Sequence, residues 1–277
     1  MQTYIYKSVL ICPKCASDLA EIGSSLKCQN NHSYDRSREG YFNLLLAQSS
    51  GTHGDNSEMV ASRRAFLASG HYKPLAERVA QLVAEHTAKG EPILDAGCGE
   101  GYYTDIIERL MKSRDGDSSV YAFDISKNAV REMRRKNPSV NAVVAGSYHM
   151  PIASASVATV VNTFSPLARE EVWRVLRDGG IFVMAIPEEM HLYELKAAIY
   201  DTPYRNTVDD PTLEGFELLS SERITYVMHL DDRETVASLF GMTPYAYRTG
   251  SKGRERVATL ERLDCTADFR IFVYKKK

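Results

Sequence analysis

The sequence predicts a doubly wound, mostly parallel α/β sheet of seven strands with a small metal-held domain ahead of it, and three features predict this. From residue 91 onward short apolar runs alternate with amphipathic stretches, the pattern of strands that return through crossover helices. The first run, ILDA, leads straight into a turn holding Gly97, Gly99 and Gly101. Well before it, CPKCASDLAEIGSSLKCQNNH places three of the chain's five cysteines within residues 12–32.

The N-terminal stretch reads Cys12-x2-Cys15 and then Cys28-x3-His32, two close ligand pairs on two turns joined by a short hairpin. Three thiolates and an imidazole close a tetrahedron around zinc and leave no position for water or substrate. The ion is therefore structural, one per chain, and stabilises a segment too small to bury its own core. No secretory signal pattern precedes the motif, so a cytoplasmic setting with reduced thiols is expected rather than a disulfide framework. A redox Cys-x-x-Cys would open a helix, whereas Pro13 and the later Cys/His pair favour a zinc ribbon. Residues 1–46 are read as this domain, the small polar run 47–57 (AQSSGTHGDNS) as a linker, and 58–277 as the sheet domain.

Helical periodicity resumes in SEMVASRRAFLASGHY, with Asp55, Asn56 or Ser57 as its cap. Strands are expected at 92–96, 120–124, 142–145, 157–162 and 181–186, with helices near 102–112, 126–137, 168–177 and 190–200. Two further strands, 224–230 and 267–274, flank a helix capped by Asp231 and close the sheet's edge. No apolar run reaches the length of a bilayer span, which excludes a membrane protein of that kind. Net charge is −2, so contact with nucleic acid must rest on local clusters rather than a global field. The candidates are Arg63-Arg64, Arg134-Arg135-Lys136, the Arg248/Lys252/Arg254/Arg256 group and the C-terminal lysines.

The glycine turn is G-x-G-x-G, not G-x-G-x-x-G, and carries Asp95 and Glu100 close by. Two carboxylates repel a pyrophosphate and suit a ligand bearing ammonium and sulfonium charge, S-adenosylmethionine. Asp124, at the end of the second strand, is placed to accept ribose hydroxyls. The plainer readings are a tight turn with Asp124 capping the next helix at Ser126, or a nucleotide-binding oxidoreductase. The combination favours the class I methyltransferase fold. Such enzymes often place an Asp after the third strand; here Gly146-Ser147-Tyr148-His149-Met150-Pro151 offers Ser147 or main chain to the adenine, while Met150 packs on the ring or serves the core. Asn162-Thr163-Phe164-Ser165-Pro166 follows the fourth strand, where a methyl acceptor lies. It lacks the Asn-Pro-Pro-aromatic motif of amino-group methylases.

The ordered blocks CPKC…CQNNH, REGYFNLL, GDNSEMVASRRAFLASGHY, ILDAGCGEGYYT, HLYELK and MTPYAYR resemble the bacterial 23S ribosomal RNA guanine-N1 methyltransferases over nearly the whole chain. The resemblance implies zinc at Cys12, Cys15, Cys28 and His32. It also implies cofactor contacts from Tyr72, from the 97–104 loop that includes Tyr103 and Thr104, and from His191. A hairpin of 23S ribosomal RNA as substrate and a homodimer follow from it as well, and the zinc domain is read beside it as gripping the loop or backbone of that RNA. On the residues alone, Tyr72 offers a cation–π face to a sulfonium or serves as a buried staple, and His191 sits at the carboxyl edge of the sheet or on its surface.

Guanine N1 carries a proton at neutral pH, so its lone pair becomes available only as that proton leaves. Positioning does most of the work, with a base or a partner at O6 adding a smaller factor; Asn162, Glu188 and His191 are the candidate groups. The base must be splayed from its stack. Two rival functions are a small-molecule methyltransferase with a structural zinc lid and a non-catalytic RNA-binding module that keeps the fold.

Overall fold

The computed structural model describes residues 9–46, 54–116, 119–208 and 210–277. Most of the expected linker, residues 47–53, lies outside the described residues. The N-terminal ribbon is a three-stranded antiparallel sheet of β1 (Ala20–Ile22), β2 (Ser25–Lys27) and β3 (Ser33–Asp35). A two-residue strand, β4 (Phe42–Asn43), then leaves it and joins the large sheet. Helices α1 (Ser57–Ala68) and α2 (Lys73–His86) follow, α1 capped by Asn56, whose side chain accepts the Met59 N–H at 2.9 Å.

The alternating segment comprises β5 (Ile93–Ala96), α3 (Tyr102–Asp115), β6 (Val120–Asp124), α4 (Lys127–Lys136), β7 (Asn141–Val144), β8 (Val157–Thr163), α5 (Arg169–Val175) and β9 (Leu176–Pro187). Beyond it run α6 (Tyr193–Ile199), β10 (Phe216–Leu230), α7 (Arg233–Gly241), α8 (Tyr245–Arg248), α9 (Ser251–Thr259) and β11 (Leu263–Lys276). The large sheet has the order β10-β11-β9-β8-β5-β6-β7-β4. Every pairing from β4 to β9 is parallel, and β11 alone is reversed between β9 and β10.

Two expectations need correction. The sheet has eight strands, not seven, because β4 from the zinc-binding segment pairs with the outer edge of β7 through Phe42↔Val143 and Asn43↔Val144. A run of two residues has no periodicity to betray it. The cap of α7 is Asp232, which accepts the Thr235 N–H at 2.7 Å, one residue later than Asp231.

Both faces of the sheet are covered, and the alternation along each strand sorts side chains between them. Ile93 of β5 and Phe269, Ile271 and Val273 of β11 join α2, α3, α6 and α7 in one core. Leu94 and Ala96, with Phe272 and Tyr274, face the other way, onto α5 and onto Val9, Leu10, Leu19, Leu26, Cys12 and Cys28. The zinc-binding segment therefore shares a core with the sheet.

The segment after β7 is held from α5. Arg174 donates to the carbonyls of Met150 at 2.9 Å and Ile152 at 2.7 Å, and Glu171 accepts the Met150 N–H at 2.7 Å. Arg174→Ala should lower the unfolding free energy by about 2–3 kcal/mol, since partly buried carbonyls lose a charged donor. Urea denaturation followed by circular dichroism measures it; a loss under 0.5 kcal/mol would contradict the clamp.

Candidate active site and zinc centre

The two cysteine turns are tight because each uses one residue in the left-handed region, Ala16 at φ 56° and Asn31 at φ 61°. Ala16 N–H bonds Cys12 O at 2.8 Å, and Asn31 N–H bonds Cys28 O at 3.0 Å. The ligand atoms of Cys12, Cys15, Cys28 and His32 all lie within 4.8 Å of one another. Cys15 and Cys28 sulfurs are 3.7 Å apart, and Nδ1 of His32 is 3.4 Å from the sulfurs of both Cys12 and Cys28. A tetrahedron with Zn–S of about 2.3 Å has edges of about 3.8 Å, so the donor set fits zinc. Hydrogen bonds from Ser17 bring the Cys15 thiol down to about 5, and Tyr34 Oη stands 3.1 Å from Cys12 Sγ, where it would donate to the sulfur of a metal-bound Cys12.

A cavity of about 1130 Å³ opens at the carboxyl edge of the sheet. Its floor is the glycine turn, where all three glycines have positive φ: Gly97 at 88°, Gly99 at 56° and Gly101 at 84°. A Cβ at Gly97 would strike Ser165 and one at Gly101 would strike Met133, whereas at Gly99 only an Arg63 nitrogen comes within 4 Å, at 3.9 Å. Gly99 is therefore where the turn leaves its backbone open to the cavity. Asp124 braces the turn: Oδ2 accepts Gly99 N–H at 2.9 Å and Oδ1 accepts Ser126 N–H at 2.7 Å. Asp124 thus supports the next helix and lines the cavity at once.

Asp95 and Thr104 occupy a different place from the one expected. They bond each other at 2.5 Å, fully buried beneath the turn, and neither lines the cavity. Burial, against the Thr104 bond and with help from Asp124, pushes the Asp95 carboxyl up to about 7. Burial also raises Glu100 and Asp124. Glu100 Oε1, Tyr103 Oη and Thr163 Oγ1 are buried without a hydrogen-bond partner, and all three residues line the cavity. A bound ligand would have to satisfy them. Ser147, on a 3₁₀ turn at Ser147–His149, lines it too.

The far wall is aromatic. Tyr72 Oη lies 3.1 Å from His191 Nε2, and the Asp268 N–H points at His191 Nδ1 at 3.4 Å. With Nδ1 accepting, the proton sits on Nε2 and is donated to Tyr72, whose own hydroxyl proton is left to point elsewhere. Burial, then the nearby Lys196, holds the imidazole down to about 3, so it stays neutral. Of the three catalytic candidates only His191 lines the cavity. Glu188 is tied to Arg270 at 2.6 Å, and Asn162 reaches Pro166 O at 3.5 Å.

Several residues take places that the sequence reading did not give them. Phe164 has φ 56°, is 40% exposed and lies parallel to His191, with 12° between planes and 6.3 Å between centroids. A large aromatic at the end of β8 was the signal available. The Asp55–Arg63 ion pair lines the cavity between the turn and Met242. Lys196 and Asn206 form a strut: Lys196 Nζ donates to Asn206 Oδ1 at 2.8 Å, and Asn206 Nδ2 donates to Glu188 O at 2.7 Å and His191 O at 3.1 Å.

Residues 10–51 match the family model described as RlmA, N-terminal, and residues 93–180 match the methyltransferase domain model. A 23S rRNA (guanine(748)-N(1))-methyltransferase of Streptomyces fradiae is 32% identical over 86% of this chain and 85% of its own length. The chain belongs to the 23S rRNA (guanine-N1)-methyltransferase family. A Micromonospora griseorubida protein provisionally named for a 23S rRNA (guanine-N(1)-) methyltransferase is 32% identical over 96% of this chain and 97% of its own. YxjB of Bacillus subtilis, named likewise, is 28% identical over 97% and 98%.

The methyltransferase uses S-adenosylmethionine, and the cavity suits it. A cation relieves carboxylates that burial and mutual repulsion hold toward the neutral form, and the unpartnered Glu100, Tyr103 and Thr163 atoms await polar partners. Among the described residues no helix is long and apolar enough to cross a membrane.

For Asp95 the sign of the pH effect is fixed by its raised value in the fold. Between about pH 4 and pH 7 the folded chain keeps a proton that the unfolded chain releases, so stability falls through that window and is flat above it. The decline attributable to Asp95 is on the order of 2–4 kcal/mol. Asp95→Asn keeps an acceptor for Thr104 and removes the titration. Ligand-free protein should therefore lose stability from pH 4.5 to 7.5 more steeply than the variant, as measured by denaturant titration at each pH. Parallel curves would show that Asp95 does not titrate there.

Proposed function

We propose that this enzyme moves a methyl group from S-adenosylmethionine to N1 of a guanine in a hairpin of 23S ribosomal RNA. The observation that supports this most is Phe164. A non-glycine residue held in the left-handed backbone region carries strain of the kind that persists at functional sites, and the exposed Phe164 ring faces the cavity where β8 ends, beside the Tyr72–His191 pair. A splayed base stacking on that ring would be oriented without any amino-group motif. Exposed Tyr148 and Tyr204 line the same cavity and offer faces to neighbouring nucleotides.

When bound, the cofactor supplies a methyl carbon activated by its sulfonium. The chain's own groups do the positioning. Asp124 and Gly99 hold the donor end, the neutral His191 fixes the Tyr72 hydroxyl, and Phe164 sets the plane of the acceptor. Glu188 and Asn162 are bonded elsewhere, and His191 offers no free lone pair, so the N1 proton passes to solvent or to another group on the cavity wall rather than to one of these three.

The basic clusters divide. Arg134 turns inward to Pro138 O at 2.7 Å and to Val140 O, Arg64 pairs with Glu132, and Lys276 is buried on Leu176 O at 2.7 Å. Arg248 lines the cavity, with Lys252 and Arg254 exposed on the adjoining α9; these are the phosphate contacts of this reading. RNA recognition by the ribbon, a homodimer and a cytoplasmic setting complete it, and sedimentation of the full chain tests the dimer.

Nucleoside mass spectrometry of a 23S rRNA transcript with intact stem-loops should show 1-methylguanosine, and a short single strand with the same guanine should stay unmodified. Phe164→Ala should lower kcat/KM for the transcript about 5- to 150-fold, the value of one base–aromatic stack, with cofactor affinity within two-fold of wild type. A 2-methyl, 7-methyl or ribose-methylated product would overturn the acceptor assignment.

A further inference from the structure

The zinc ribbon is stitched to the methyltransferase domain at both of its ends, and the two stitches flank one short segment. On one side Leu10 bridges Ile152 in antiparallel register, Ile11 N–H bonds Pro151 O at 2.9 Å, and Ala153 N–H bonds Val9 O at 2.8 Å. On the other side β4 pairs with β7, and Leu44 N–H bonds Val144 O at 2.9 Å. Residues 145–150 are thus bracketed by the ribbon, and the 3₁₀ turn that carries Ser147 sits between the brackets.

The first metal ligand, Cys12, lies two residues beyond Leu10 of this bridge, and its own N–H turns back to Ser17 O at 2.8 Å. Cys12 and Cys28 share one core cluster with Met150, Ile152, Val143 and Ala145. Pro13, from inside the Cys12–Cys15 knuckle, lines the same cavity as Ser147, His149 and Asp124. Leu45 reaches over Gly146, where a Cβ would lie 4.0 Å from its Cδ1.

The ribbon has few means of keeping this shape alone. Its strands are three residues each, and the knuckle holds two backbone bonds of its own, Ala16 N–H to Cys12 O and Cys12 N–H to Ser17 O, both 2.8 Å. Metal–ligand bonds supply the rest. We propose that the zinc knuckle is a wall of the methyl-donor pocket, so that zinc occupancy sets the affinity for the adenosyl ligand independently of any RNA.

S-adenosylhomocysteine is the probe, titrated by calorimetry into the full chain with zinc content read by mass spectrometry. Zinc-stripped protein that keeps its far-ultraviolet circular dichroism should bind at least ten-fold more weakly and recover with one equivalent of zinc. Pro13→Gly, which leaves the four ligands in place, should retain zinc and bind at least five-fold more weakly. Ile22→Ser, at the exposed tip of the ribbon, should bind as wild type does. Affinity within two-fold of wild type for the zinc-stripped protein or for Pro13→Gly would overturn the proposal, as would an equal loss in Ile22→Ser. No RNA enters these measurements, so they stand or fall apart from the acceptor assignment.

Discussion

The Asp124 carboxylate is the constraint from which the site is built. It receives a backbone N–H from the glycine turn and another from the start of α4, and it does so while largely buried, where a carboxylate without donors would be costly. The turn can take that position because three residues accept positive φ and two of them lie against side chains that leave no room for a Cβ. Asp95 supports the arrangement from beneath, through Thr104, and not from the cavity wall. Burying several acidic groups around one loop is tolerable because the protein's ligand is a cation.

A second hub holds the opposite wall. Asp268 is fully buried and accepts from Arg223 at 2.8 Å, Thr225 at 2.7 Å and the Met190 N–H at 3.1 Å. Those donors outweigh the cost of burial and keep its carboxyl below the usual range. Its backbone N–H also addresses His191. The Lys196–Asn206 strut grips the same loop from outside through two carbonyls. His191 is thereby fixed in place and tautomer by residues spread over β10, β11, α6 and the loop after it.

The strands and helices that carry the site were legible because their signals are local. Apolar runs ending in glycine or aspartate placed β5 and β6 within a residue of their observed bounds, and the spacing of Cys12, Cys15, Cys28 and His32 is itself the geometry of a closed metal site. What stayed hidden depends on distant partners. β4 is too short to show a period. Asp95 looked like a ligand contact because motif position does not reveal which side of a turn a carboxylate takes. Phe164 was visible as an aromatic at a strand end, but its left-handed backbone and its parallel setting on His191 arise only when β8, β11 and the loop before α6 meet. Lys196 reads as an ordinary helical lysine and is in fact fully buried.

The position of β4 bears on how the chain assembles. Its partner, β7, lies about a hundred residues downstream, so the outermost strand of the sheet is made early in synthesis and paired late. Contacts of that separation carry a loop-closure cost and slow folding. A thiolate cluster that gathers its ion from local residues allows the first segment to wait in an ordered form. Once seated, the two-residue strand covers Val143 and Val144 on the outer edge of β7, which shortens the ladder open to another chain. The ribbon is consequently not a cassette that evolution could exchange freely: its replacement would have to bring an edge strand of its own.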